Sequence, residues 1–147
     1  MYTHILKGFL ERDLELLKKE ITAYQNEENI WKVNGSIHNS AGNLCLHLVG
    51  NLNHFIGTAL GNSGYVRDRD AEFSIKNVSR EELLKMVHDT QVVVAATLNN
   101  LTDADLEKDF PYEVMNQHWK NAHFLFHLST HLTYHLGQIN YHRRLLD

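Results

Sequence analysis

The chain has 147 residues, a formal net charge of −4, and 43% apolar and 22% charged residues. That is the size and make-up of one ordinary globular domain, which buries about two-thirds of its unfolded surface. No apolar run approaches the roughly 20 residues that span a bilayer, no basic and apolar leader opens the chain, and Lys and Arg are scattered apart from Lys18-Lys19 and Arg143-Arg144, which argues against a membrane span, a secretory signal and a nucleic-acid partner.

Helical spacing of Ile5, Leu6, Phe9, Leu10, Leu14, Leu17 and Ile21 predicts a first helix over about Thr3 to Tyr24. A second is expected from about Ser40 to Leu60, followed by a polar loop that starts at Gly61 and runs through Phe73. The third, about Arg80 to Leu101, opens on Ser79 with Glu82 three residues later, the pattern of a capping box, and turns Leu83, Val87, Thr90, Val94, Leu98 and Leu101 inward. The fourth is expected from about Gln117 to Leu146, with Asn116 as its N-cap. Four amphipathic helices without an alternating strand predict an all-α four-helix bundle, residues 61–78 and 102–116 being its two long connections. With no repeat or linker to divide it, residues 1–147 read as a single domain.

Histidine is the compositional outlier, with 11 copies. At about 100° per residue, Leu44, Cys45, Leu48, Val49, Leu52, Phe55, Ile56 and Ala59 form one core arc of about 140° on the second helix. His47 and Asn51 fall just outside one edge of it, His54 slightly further round, and Asn53 on the far side. On the fourth helix Phe124, Leu125, Leu128, Leu132, Leu136 and Ile139 fill an arc of about 120°, with His131 and His135 at its margin or inside it. His127 sits about 40° beyond His131 and His123 about 80° beyond, progressively more towards water.

A lone histidine on a helix is more often amphipathic filler than a ligand. The run at 123, 127, 131 and 135 shifts that balance, because neighbouring buried imidazoles are costly unless their ring nitrogens find partners, and a shared metal supplies one. Residues four apart share a face about 6 Å apart along the axis, so His131 and His135 can bind one ion at about 2.0–2.1 Å. His47 is the remaining histidine at the edge of a well-defined core face, and three neutral imidazoles suit zinc, nickel or Fe(II) with a coordination position left open. Cys45, two residues from His47, reads as a small core residue, while Trp31, Trp119, Tyr134 and Tyr141 could line a pocket, although helix packing is the more common role for each. H-E-x-x-H, Glu-x-x-His pairs and glycine-rich phosphate loops are absent.

The stretch Asn39-Ser40-Ala41-Gly42-Asn43-Leu44-Cys45-Leu46-His47-Leu48-Val49-Gly50-Asn51-Leu52, with His131-Leu132-Thr133-Tyr134-His135-Leu136-Gly137-Gln138-Ile139, resembles the DinB-like (DinB/YfiT) superfamily over nearly the whole chain, and Arg67-Asp68-Arg69-Asp70-Ala71-Glu72-Phe73 resembles one branch of it. The resemblance implies a four-helix bundle, a metal site of His47, His131 and His135, and frequently a homodimer. Some such proteins are transferases or isomerases using low-molecular-weight thiols such as bacillithiol or mycothiol. The expectation is therefore a divalent-metal-dependent enzyme, a thiol S-transferase, holding zinc or nickel ahead of iron or manganese and acting on a small molecule. A hydrolase using metal-bound water, a non-catalytic metal-dependent ligand sensor and a purely structural bundle are the alternatives. Asn51 and Gln138, each one turn from a ligand, and His127 are candidates to orient a ligand or touch substrate. The single cysteine cannot close an internal disulfide, which fits a cytoplasmic location.

Overall fold

The computed structural model describes residues 2–147, and among these residues it is all-helical, with no strand. The long helices are α1 (Tyr2–Ala23), α2 (Ala41–Leu52), α4 (Arg80–Asn100) and α6 (Asn121–Leu146). Both long connections, expected as loops, carry one short helix each, α3 (Arg69–Ser74) and α5 (Asp103–Leu106). A 3-10 turn, Glu27–Trp31, precedes α2. None of the helices is long and apolar enough to cross a membrane.

The apolar stripe of α1 is buried from Leu6 through Ile21 and packs against α4 and α6, although Ile5 and Phe9, expected within it, stay exposed. Asp13 interrupts that stripe at 1% exposure. Thr133 Oγ1 donates to its Oδ2 and Arg12 Nε to its Oδ1, so the carboxylate ties α1 to α6 with its acceptors filled. Ser79 caps α4 as expected, its Oγ accepting from the Glu82 amide at 3.2 Å. The reciprocal capping box forms instead at α5, between Thr102 and Asp105.

Three local expectations are corrected. Asn116 does not cap α6. It and Met115 both have φ of +55°, and Val114 and Gln117 exchange two backbone hydrogen bonds of 3.1 Å around them, which is the geometry of a tight hairpin turn. The helix therefore starts at Asn121. Secondly, α2 does not show one core face: every residue from Ala41 to Leu52 is buried. The Trp31 ring lies over Gly42, where a Cβ would come within 2.7 Å of it, and α3 lies over Gly50, where a Cβ would strike the Glu72 carboxylate. Thirdly, Asn53 is not on an outward side. It is buried, and its Nδ2 donates to Val49 O and Thr90 Oγ1, both at 2.8 Å. From Asn53 to Thr58 the helix widens into a π turn, so a projection at 100° per residue loses its register there.

Candidate metal centre

His47 enters from the middle of α2, and His131 and His135 enter from two successive turns of α6. The helices run antiparallel, with Phe55 after His47 meeting Phe124 near the start of α6, and Leu44 before it sharing a cleft with Gln138 and Leu145 near the end. This brings the three imidazoles together. His47 Nε2 lies 3.2 Å from His131 Nε2, which lies 3.1 Å from His135 Nε2, and one ligand atom from each residue falls within 4.8 Å of the others. The rings meet edge to face, with centroids 4.5–5.2 Å apart.

The opposite nitrogens decide the tautomers. Glu72 Oε1 accepts from His47 Nδ1 at 2.9 Å, and Gln138 Oε1 accepts from His135 Nδ1 at 2.6 Å. With the proton on Nδ1 in both rings, both Nε2 lone pairs point into the same small volume, which His131 Nε2 also faces. A cation there satisfies all three lone pairs, so the residues fit a divalent metal through neutral nitrogen donors. Burial first, and then the neighbouring His135, His47, His127 and Arg67 charges, push His131 down to about pKa 4. Burial also lowers His135, against an opposing hydrogen bond from Gln138. Both rings are therefore held in the form that binds metal.

Glu72, from α3, is 5% exposed. Arg67 donates Nε to its Oε2 at 2.8 Å and Nη2 to its Oε1 at 2.9 Å. Burial pushes the carboxyl up, but hydrogen bonds from His47 and Arg67, with the Arg67 charge, bring it net below its ordinary value. The result is a carboxylate–histidine pair of the kind that fixes ring orientation and raises ligand basicity. The Arg67-to-Phe73 motif was legible as a motif, yet its chemistry was not. Glu72 lies 25 residues from His47, and no helical period connects them. Phe73 closes the same side, its ring centroid 5.0 Å from that of His47.

The other candidates are separated by the fold. Gln138 is in contact with His135, as its position one turn away suggested. Asn51 is buried, and among the described residues its Oδ1 has no hydrogen-bond partner; the same is true of His131 Nδ1. His127 is half-buried, stacked between Phe124 at 5.7 Å and His131 at 6.3 Å, while His123 is exposed against Trp119. Neither belongs to the cluster of three. Cys45 is fully buried, and burial pushes its thiol up to about pKa 12, as suits a core residue. Tyr134 and Tyr141, expected in helix packing, are instead 65% and 63% exposed, whereas Trp119 is buried. His142 is a residue that sequence spacing does not single out. It is buried, accepts at Nδ1 from the Tyr24 hydroxyl at 2.7 Å, and donates from Nε2 to Lys32 O at 2.8 Å.

A family model described as "Protein of unknown function (DUF1572)" matches residues 2–147. The chain belongs to this family. A search of curated proteins found no match to it. In this DUF1572 member the three-histidine cluster, with Glu72 and Gln138 behind two of its rings, is the concentration of chemistry that the fold builds between α2 and α6.

Proposed function

We propose that the chain is a single DinB-like four-helix domain that binds one divalent metal ion through His47, His131 and His135 and uses it in enzymatic S-transfer from a low-molecular-weight thiol. The observation that carries the metal reading is the convergence of three Nε2 atoms, two of them made lone-pair donors by acceptors on Nδ1. The resemblance of the two histidine segments to the DinB-like superfamily supports both the architecture and the thiol chemistry. Three nitrogen ligands from the protein match catalytic rather than structural sites, which close four positions. A divalent ion in such a site lowers the pKa of a thiol or water that takes the open position.

The chain's own groups have defined parts. Glu72 and Gln138 keep His47 and His135 in the ligand tautomer, and Arg67 keeps Glu72 ionised. Asn51, one turn beyond His47 and with a buried, unpartnered Oδ1, and His127, stacked on His131, are assigned to orienting what binds there.

The test is elemental analysis of untagged protein followed by Co(II) substitution and titration with cysteine-type thiols at neutral pH. One metal per chain is expected, with a sulfur-to-cobalt charge-transfer band in the near ultraviolet. Alanine at 47, 131 or 135 should remove the metal, while His123→Ala should keep it. If cobalt occupies the site, but a carboxylate or phosphate and no thiol perturbs its spectrum, S-transfer gives way to the hydrolase or the ligand-sensor reading. If all four variants retain metal equally, the site itself is wrong.

A further inference from the structure

Beside the candidate metal centre, α6 presents Tyr134, Gln138, Tyr141 and Leu145 on one face, since steps of three and four residues return to the same side of a helix. Tyr134, Tyr141 and Leu145 are each about two-thirds exposed, which is unusual for three large side chains in one stripe. They form one wall of a cleft of about 530 Å3, whose opposite wall includes Ile37 and Leu44. His135 lines the cleft too, so it reaches the triad through a ligand and that ligand's Gln138 partner. Its size falls within the range of about 300–1,000 Å3 common for small-molecule sites.

The lining selects for charge. No Lys, Arg, Asp or Glu lines the cleft. His142, a buried lining residue, has both ring nitrogens engaged, by Tyr24 and by Lys32 O, and so presents no free donor or acceptor. Arg144 lies over the Tyr141 ring, 5.2 Å from its centroid, and is not among the lining residues. An anion entering the metal-free cleft would meet no Lys or Arg among the described lining residues and only the solvent-exposed Ser36, His38 and Asn39 as further polar partners, whereas an aromatic body gains the Tyr134 and Tyr141 rings and the Leu145, Ile37 and Leu44 side chains.

We infer that this cleft binds an uncharged aromatic group, the body of the molecule whose reactive end meets the metal centre. The assignment of the reactive end rests on the metal reading above; the cleft itself does not. A concave site ending at a ligand suits a small molecule better than the flat face of a second protein copy.

The test uses two probes of similar shape on metal-depleted protein at pH 7: 1-naphthol, which is neutral, and 1-naphthalenesulfonate, which is an anion. Naphthol is expected to shift the methyl resonances of Ile37, Leu44 and Leu145, with Tyr134→Ala and Tyr141→Ala each weakening it about fivefold. The sulfonate is expected to bind at least about tenfold more weakly. Both tyrosines are exposed, so these variants should fold, which an unchanged amide spectrum elsewhere would verify. Absence of methyl shifts, equal binding of the sulfonate, or a change of oligomeric state in the tyrosine variants without loss of naphthol binding overturns the proposal. A second arm adds Co(II): enhanced relaxation of bound naphthol protons supports adjacency to the centre, and its absence with cobalt bound overturns that adjacency. Failure of Co(II) to bind overturns the metal reading and leaves the metal-free titration standing.

Discussion

At the scale of single residues, Glu72 decides how well His47 can serve. Its carboxylate is held by two Arg67 hydrogen bonds and accepts from His47 Nδ1, so ring orientation and tautomer both depend on it. Removing such a partner usually costs about 10–100-fold in metal affinity. Glu72→Ala is expected in that range by chelator competition, with Glu72→Gln, which retains one acceptor oxygen, losing less. Equal affinity in wild type and Glu72→Ala would remove Glu72 from the site. His131 makes a second prediction, about pH. In the folded, metal-free protein it takes up its proton near pH 4, whereas in the unfolded chain it does so near the ordinary value of about 6.5. Between these values the unfolded state binds more protons, so stability is fully present above about pH 6.5 and declines as pH falls towards 4. Denaturant midpoints of metal-free protein should fall across that window. The slope should flatten in His131→Gln; an unchanged slope would show that the ring is not held neutral.

At the scale of elements, the close approach of α3 to α2 is what delivers Glu72. That approach depends on Gly50, because a Cβ there would lie 2.6 Å from Glu72 Cδ. Alanine is a better helix former than glycine by about 1 kcal/mol, so Gly50→Ala should preserve or increase helicity. The carboxylate cannot step aside without leaving Arg67 or His47. Weakened metal binding with intact circular dichroism is therefore expected. If metal affinity is unchanged, α3 can shift without releasing His47. The α2 segment also shows why its face was misjudged. A periodic arc identifies which side is apolar, but Trp31 and α3 cover the remaining sides, and the π turn after Leu52 rotates the residues beyond it.

At the scale of the whole molecule, the candidate centre joins α2 to α6, two helices far apart in the chain that pack on each other and both meet the 3-10 turn of residues 27–31. A metal that binds the folded state alone stabilises it by mass action, by about 2.7 kcal/mol at one hundred times Kd. Thermal midpoints should rise with added metal and return with chelator. His131→Ala should abolish the response, whereas His123→Ala should leave it. A metal-induced rise that persists in His131→Ala would place the ion elsewhere.

The sequence by itself determined the four long helices and the three candidate ligands. The helices and the pairing of His131 with His135 follow from helix geometry, since a period of about 3.6 residues sorts side chains by face and histidines four apart must share one. His47 rested on an α2 arc that packing on all sides erases, and on the family resemblance. The same reasoning separated His131 and His135 from His123, and marked Gln138 as their neighbour. Only the tertiary structure decided what stands behind the ligands and beside them. Glu72 reaches His47 across 25 residues along a path set by a glycine contact and a short helix within a polar connection. Tyr134 and Tyr141 have the spacing of packing residues, yet they are about two-thirds exposed and line an open cleft. Asn116 has an N-cap's chemistry but stands in a hairpin turn. Periodicity is a property of one helix and can be read locally, whereas cover, approach and register shifts arise from the packing of several segments.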